Sequence, residues 1–253
     1  MRNVLVTGAS RGIGRAVALA FAECGDRVAV HYGSDRTGAE ETVRRLPGIG
    51  HTIVTGDVAD PVAAQHIVDQ TARALGGIDV LVNNAAIAPG ADNRHAVTEV
   101  NYPEWQRIWR RMIDVDLLGA VHLTYCTARH LIDRGASGSI VNIGSRGAFR
   151  GEPDFPAYGA SKAALHAFGQ SMAIALAPHG IAVTSVAPGI VGTERQESSL
   201  AAPAGAAIRA QSPFGRVGTP EEVAAAVRYL ASPEAAWASG TVLDLNGASY
   251  LRT

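Results

Sequence analysis

The sequence predicts a doubly wound α/β fold, one parallel sheet with helices packed on both faces, and three observations carry that expectation. Short β-rich runs alternate with longer helical ones along the whole chain. Most of the short runs are continuously apolar, as strands covered on both faces must be, rather than alternating. A glycine-rich turn follows the first run, where such sheets begin their first crossover.

The elements follow in order. Strands are expected at "NVLVT" (3–7), "RVAVHY" (27–32), "HTIVT" (51–55), "VLVN" (80–83), "SIVNI" (139–143), "AVTSVA" (182–187) and "VLDL" (242–245). Helices are expected near 12–24, 37–46, 61–75, 103–134, 157–177 and 220–231. "DP" at 60–61 reads as an N-cap followed by proline at the first helical position. "TPEE" at 219–222 repeats the signal, with Glu222 placed for a capping box. The alternation calls for right-handed crossovers. No linker, repeat or low-complexity tract interrupts it, so residues 1–253 read as one domain. The least regular stretch, 192–218, lies between the last two strands and is expected to be a lid over a ligand site.

Composition narrows the function classes. Hydrophobic residues make up 47% and charged residues 18% of 253, enough apolar side chain for a large core. A formal charge of −1 provides no basic field for nucleic acid. Cys24 and Cys126 suit small apolar packing in a reducing compartment. The apolar run at the N-terminus is short for a signal peptide, and no stretch reaches the ~18 apolar residues of a membrane span. The expectation is a cytoplasmic protein acting on a small molecule. His122 and His130 share one helical stretch without other ligands beside them, so no metal is assigned.

Two clusters point to chemistry. In "VTGASRGIGRA" the glycines at 8, 12 and 14 allow a tight turn and a close approach of backbone to a pyrophosphate at a helix N-terminus. In "YGASK", Tyr158 and Lys162 stand four residues apart on one helical face. A cation beside a phenol favours phenolate and draws its pKa down from ~10, which suits proton transfer. Ser145, at the end of a predicted strand, lies at the edge where such sheets bind ligands.

Over nearly its whole length the chain resembles the short-chain dehydrogenase/reductase family. "TGASRGIG" (7–14), "GDV" (56–58), "NNAA" (83–86), "IVNIGS" (140–145), "YGASK" (158–162) and "APGIVGT" (187–193) match its motifs in order. The resemblance implies a seven-stranded Rossmann-type sheet, a homotetramer and a nicotinamide cofactor, with members that reduce 3-oxoacyl-carrier-protein among its nearer likenesses. It implies that Tyr158 exchanges a proton with a carbonyl or alcohol oxygen, that Ser145 hydrogen-bonds that oxygen, and that Lys162 lowers the tyrosine pKa and holds the nicotinamide ribose. Gly8, Ser10, Arg11, Gly12, Ile13 and Gly14 would form the phosphate turn. Asp57 and Val58 would lie at the adenine, Asn84 beside the cofactor, and Pro188, Gly189, Ile190 and Thr193 at the nicotinamide.

Cofactor choice turns on the end of the second strand, where NAD-type sites place an acid on the ribose. That position is near Tyr32, whereas Arg11, Ser34 and Arg36 stand close by. Guanidinium suits a phosphate, so NADP is expected over NAD. Asp35 takes the NAD-type role if the strand runs longer. Two residues depart from the family. Ala86 replaces a glycine, which is harmless if its φ is negative. Asp116 replaces an asparagine whose main-chain carbonyl holds a water leading to the lysine, and its charge bears on the site's proton balance. Arg146 and Arg150, between two catalytic positions, read as solvated loop arginines, with contact to an anionic substrate as the alternative. The expected function is NADP(H)-dependent interconversion of a carbonyl and an alcohol. The alternative is a nicotinamide-binding regulator or scaffold that has lost turnover, with Asp116 its only support.

Overall fold

The computed structural model describes residues 1–252. Seven strands, β1 (Asn3–Val6), β2 (Arg27–Tyr32), β3 (Thr52–Thr55), β4 (Val80–Asn83), β5 (Gly138–Ile143), β6 (Ile181–Pro188) and β7 (Val242–Leu245), form one sheet in the order β3-β2-β1-β4-β5-β6-β7. Every pairing is parallel. The chain winds outward from β1 in one direction as far as β3, then returns to build the other half from β4. The reversal leaves a crevice at the carboxyl ends of β1 and β4, where loops diverge.

The helices are α1 (Gly12–Glu23), α2 (Arg36–Arg45), α3 (Pro61–Leu75), α4 (Tyr102–Ile113), α5 (Gly119–Asp133), α6 (Gly147–Arg150), α7 (Pro156–Leu176), α8 (Glu197–Ala201), α9 (Gly205–Arg209) and α10 (Pro220–Leu230). Both expected proline starts hold. Asp60 caps α3, and Thr219 and Glu222 cap α10 reciprocally. Continuous apolar runs are explained by two cores. Val4 and Val6 point to one face, against Val17, Phe21 and Val227, while Leu5 between them points to the other, with Ile67, Leu81, Leu123 and Ile140. A strand buried on both sides has no polar face to alternate with.

Two expectations need correction. The helix expected over 103–134 is interrupted by a π-helical turn, Asp114–Leu118, in which the Gly119 N–H bonds back to the Asp114 carbonyl. The turn carries the Asp116 carboxylate inward, where its Oδ1 accepts the Ile87 N–H at 2.7 Å. Gly119 permits the local approach, since a Cβ there would stand 2.7 Å from Val58. Such bulges recur where a helix serves a site. The stretch 192–218 is also more ordered than an irregular loop: a 3₁₀ turn at Glu194–Gln196 leads into α8 and α9. Among the described residues no helix is long and apolar enough to cross a membrane, and no His/Cys/Asp/Glu group is placed to hold a metal.

Candidate active site

The crevice opens into a cleft of about 710 Å³, lined at one end by the glycine turn and at the other by Ser145, Tyr158 and Lys162. The turn is made chiefly by main chain. Gly8 and Gly12 adopt φ of +61° and +55°, which side chains disfavour. A Cβ on Gly14 would lie 2.3 Å from the Gly8 carbonyl. Asn84 holds the turn from β4, its Nδ2 donating to the Thr7 and Gly8 carbonyls at 2.8 and 3.0 Å. The Thr7 hydroxyl accepts from the Asn84 and Ala85 N–H groups. His31 supports it from below: Nδ1 accepts the Gly8 N–H at 3.2 Å, and Nε2 faces the Gly56 carbonyl at 3.0 Å. Those partners fix the neutral tautomer, and burial holds its pKa down at about 4.

The turn already holds an anion. The Glu194 carboxylate reaches over from the 192–218 segment, accepts the Gly12 N–H at 3.1 Å and pairs with Arg15 at 3.4 Å. This is the binding mode a pyrophosphate would use at the start of α1. Gly8, Ser10, Arg11, Gly12, Ile13, Gly14, Asn84, Pro188, Gly189, Ile190 and Thr193 all line the cleft. Ser34, Asp57, Val58 and Asp116 do not. Ser34 is exposed beyond β2. Val58 packs against Gly119. Asp57 is occupied, Oδ1 by the Ala59 N–H and Oδ2 by Arg111, both at 3.0 Å. β2 ends at Tyr32, and Asp35 caps α2 by accepting the Gly38 N–H at 3.0 Å. Its carboxylate thus has a local role, which removes the basis for an NAD-type acid there. Arg36 is exposed and paired with Glu40, while Arg11 extends into the cleft.

At the other end, β5 stops at Ile143 and delivers Ser145, whose Oγ accepts the Gly147 N–H at 2.9 Å. Tyr158 sits in the first turn of α7, and Lys162 follows one turn later, buried. The Lys162 ammonium donates to the Ile143 carbonyl at 3.0 Å and stands 5.8 Å from the centre of the Tyr158 ring. The expectation that Lys162 draws the phenol pKa down is not met here. Burial pushes Tyr158 up to about 12, the nearby Ser145 hydroxyl opposes it, and the charges of Asp116 and Glu152 add to it. Burial likewise lowers the Lys162 pKa, with Asp116 working against that.

A family model described as enoyl-(acyl carrier protein) reductase matches residues 8–247. An L-rhamnose 1-dehydrogenase (NAD(P)(+)) of Sphingomonas is 36% identical over 99% of this chain and 96% of its own. The chain belongs to the short-chain dehydrogenase/reductase family. A 3beta-hydroxysteroid dehydrogenase of Eggerthella lenta is 35% identical over 99% of this chain and 94% of its own. A short-chain dehydrogenase of Burkholderia cenocepacia, solved in complex with NADP, superposes with a TM-score of 0.86 at 32% identity, covering 98% of this chain and 97% of that one. The protein is accordingly an oxidoreductase of this family.

Both family departures now have a setting. Ala86 has no positive φ, so the missing glycine costs nothing. Asp116 is buried, with Oδ1 on the Ile87 N–H and Oδ2 without a partner. Burial raises its pKa to about 6, while Lys162 pulls it down.

Sequence reasoning missed His95. The start of α7 at Phe155 has no side-chain cap of its own. His95, from the loop after β4, accepts the Ala157 N–H on Nε2 at 3.0 Å, and its Nδ1 faces the Asn93 carbonyl at 2.7 Å. Trp105 and Phe155 meet its ring edge-on at 5.8 and 6.2 Å. The ring thus fixes the residue that precedes Tyr158. The one sequence signal was the absence of Ser, Thr, Asp or Asn before Pro156. His31 left no signal at all. A second correction concerns Arg146, which is not solvated: it is 5% exposed.

Proposed function

We propose that the protein interconverts a carbonyl and an alcohol by hydride transfer with NADP(H). The observation that carries this reading is a single cleft joining an anion-holding glycine turn to Ser145, Tyr158 and Lys162. When bound, the nicotinamide supplies or receives the hydride. The phosphate turn 8–14 binds its pyrophosphate after Glu194 gives way. Ser145 donates to the reacting oxygen as charge develops on it. Tyr158 gives that oxygen a proton in reduction and removes it in oxidation. Lys162 holds the ribose and supplies positive charge beside the phenol. His95 keeps the α7 turn, and so the Tyr158 ring, in register.

Several features support NADP. Arg11 is exposed in the cleft, and Asp35 is engaged in capping. The Burkholderia neighbour was solved with NADP, and the Sphingomonas relative is named for both nicotinamides. Ser34, Asp57 and Val58, outside the cleft as it stands, belong to the proposed adenine side only once Asp57 releases Arg111. Residues 192–218 act as the lid, with Glu194 as the point that must release. A cytoplasmic homotetramer is part of the proposal. The exposed Tyr125 and Leu118 on one side, and the fully exposed Trp237 ahead of edge strand β7, would be covered by it.

The test follows absorbance of NADPH with a panel of ketones and aldehydes. Consumption with at least one carbonyl is expected. NADPH binding without turnover across the panel would favour the regulator reading and point to Asp116.

A further inference from the structure

Arg146 is the only buried arginine among the described residues, at 5% exposure. A buried guanidinium is costly unless a carboxylate pairs with it. Other arginines here have such partners: Arg2 with Asp26, Arg111 with Asp57, Arg216 with Glu222, Arg252 with Asp244. Arg146 has none. Its terminal nitrogens donate to two neutral acceptors, the Ser249 hydroxyl and the Gln211 amide oxygen. That same amide oxygen is also approached by Arg150 at 3.5 Å. Two cations therefore converge on one uncharged atom. The nearest acid, Glu152, lies with Arg150 at 3.7 Å.

The position is as telling as the charge. Arg146 directly follows Ser145, and its N–H donates to the Pro188 carbonyl at 3.0 Å, which fixes it between the ends of β5 and β6. Its side chain lines the cleft that holds Tyr158. It also lines a second cavity of about 380 Å³, bounded by Phe214, Val223 and Leu245. A clamp between the lid and the C-terminal segment needs only hydrogen bonds. The unneutralised charge is left over, at the boundary of the two cavities, where Gln211 lines both. Guanidinium binds carboxylate through two parallel N–H bonds.

We propose that Arg146, assisted by Arg150, binds a carboxylate on the substrate, so that the enzyme acts on oxo acids and hydroxy acids. The proposal rests on the oxidoreductase reading above and names its substrate class. The apolar part of a longer acid extends into the second cavity.

The experiment uses 4-oxopentanoate, 5-oxohexanoate and 6-oxoheptanoate, each against its methyl ester. Two quantities are measured: kcat/KM with NADPH, and calorimetric binding to the enzyme with NADP+, where no hydride is available. For at least one pair, wild type is expected to favour the acid by about tenfold or more, the size of a charge-assisted contact. Arg146→Met should bring the acid-to-ester ratio to about one, and Arg146→Lys should restore part of it. Gln211→Leu removes a neutral partner and keeps the charge, so the preference should survive. Esters bound or turned over as well as their acids in all three pairs by wild type overturn the proposal while leaving the reductase reading intact. So does an equal loss for acid and ester in Arg146→Met, the signature of a clamp alone. Acid-selective binding with no turnover of any ketone would uphold Arg146 and sink the oxidoreductase reading instead.

Discussion

The two ends of the cleft are made of different materials. The β1–α1 end is mostly main chain: glycines at positive φ, a helix N-terminus, and carbonyls held by Asn84. The β5–α7 end is mostly side chain, with Ser145, Arg146, Tyr158 and Lys162 drawn from two separate segments and Asp116 buried behind them. A main-chain site recognises what its ligands share, a pyrophosphate. A side-chain site sets the chemistry and the choice of substrate, and small changes in burial or charge retune it. Each end rests on a buried neutral histidine, His31 under the glycine turn and His166 one turn beyond Lys162.

The contrast predicts that the ends separate under mutation. Tyr158→Phe keeps the ring and loses the proton, so NADPH affinity should hold while kcat falls by about 10²–10⁴. A loss of NADPH affinity in parallel, read by fluorescence titration, would mean that the ends are one unit.

Acid should attack both ends. Burial holds His31 and His166 neutral, with pKa values of about 4, below the usual 6.5. A depressed pKa gives stability that is full above 6.5 and lost as the pH falls through about 4. Each contributes on the order of 3 kcal/mol across that window. Urea unfolding at pH 7 and pH 4 measures the loss. His166→Leu should remove its share and leave that of His31. A variant with the same slope as wild type would place the loss elsewhere.

At the main-chain end, Arg11 lines the cleft and is the contact proposed to select the cofactor. NADPH should bind more tightly than NADH by about 10- to 150-fold, the range of 1.5–3 kcal/mol for a charged hydrogen bond. Arg11→Ala should erase the difference. Equal affinities in wild type would return attention to Asp35.

This end was also the legible one. Glycine spacing reports backbone geometry directly, so residues 8–14 could be placed on the turn from the sequence. The strands were equally visible, because burial on both faces leaves unbroken apolar runs. That Tyr158 and Lys162 share a face was legible from their spacing, but their reading as a site came from the resemblance of the motifs around them. What spacing does not encode is where a charge points. Lys162 turned to the Ile143 carbonyl, Asp35 to its own helix, and Asp57 to Arg111. His95 and Arg146 gained their roles from contacts 62 and 65 residues away in the chain. The π turn at Asp116 was hidden as well, since the N–H its carboxylate meets belongs to Ile87, on the loop after β4.

Asp116 gives a smaller effect. Its anion raises the Tyr158 pKa, so Asp116→Asn should move the ascending limb of the kcat profile for alcohol oxidation, where Tyr158 acts as base, to lower pH. Stability gives an independent check. A carboxyl raised to about 6 contributes stability below 3.8 that is lost as the pH rises through about 6. The variant should therefore gain on wild type at pH 8 and not at pH 3. Unchanged profiles would remove the charge from the account.

The smallest effect is at Glu194, whose carboxylate holds the glycine turn in place of phosphate. Glu194→Gln should tighten NADPH binding by about two- to fivefold, the worth of an exposed charge at a helix N-terminus. Weaker binding would show that Glu194 assists the cofactor rather than competing with it.

Hydride transfer itself is tested most directly with NADPH deuterated at both C4 positions and the best ketone found in the panel. Mass spectrometry of the product reads the label. An alcohol one mass unit heavier, with the deuterium on the carbinol carbon and Tyr158→Phe forming almost none, is the predicted result. Unlabelled alcohol, or labelled alcohol formed as fast by Tyr158→Phe, would contradict the account.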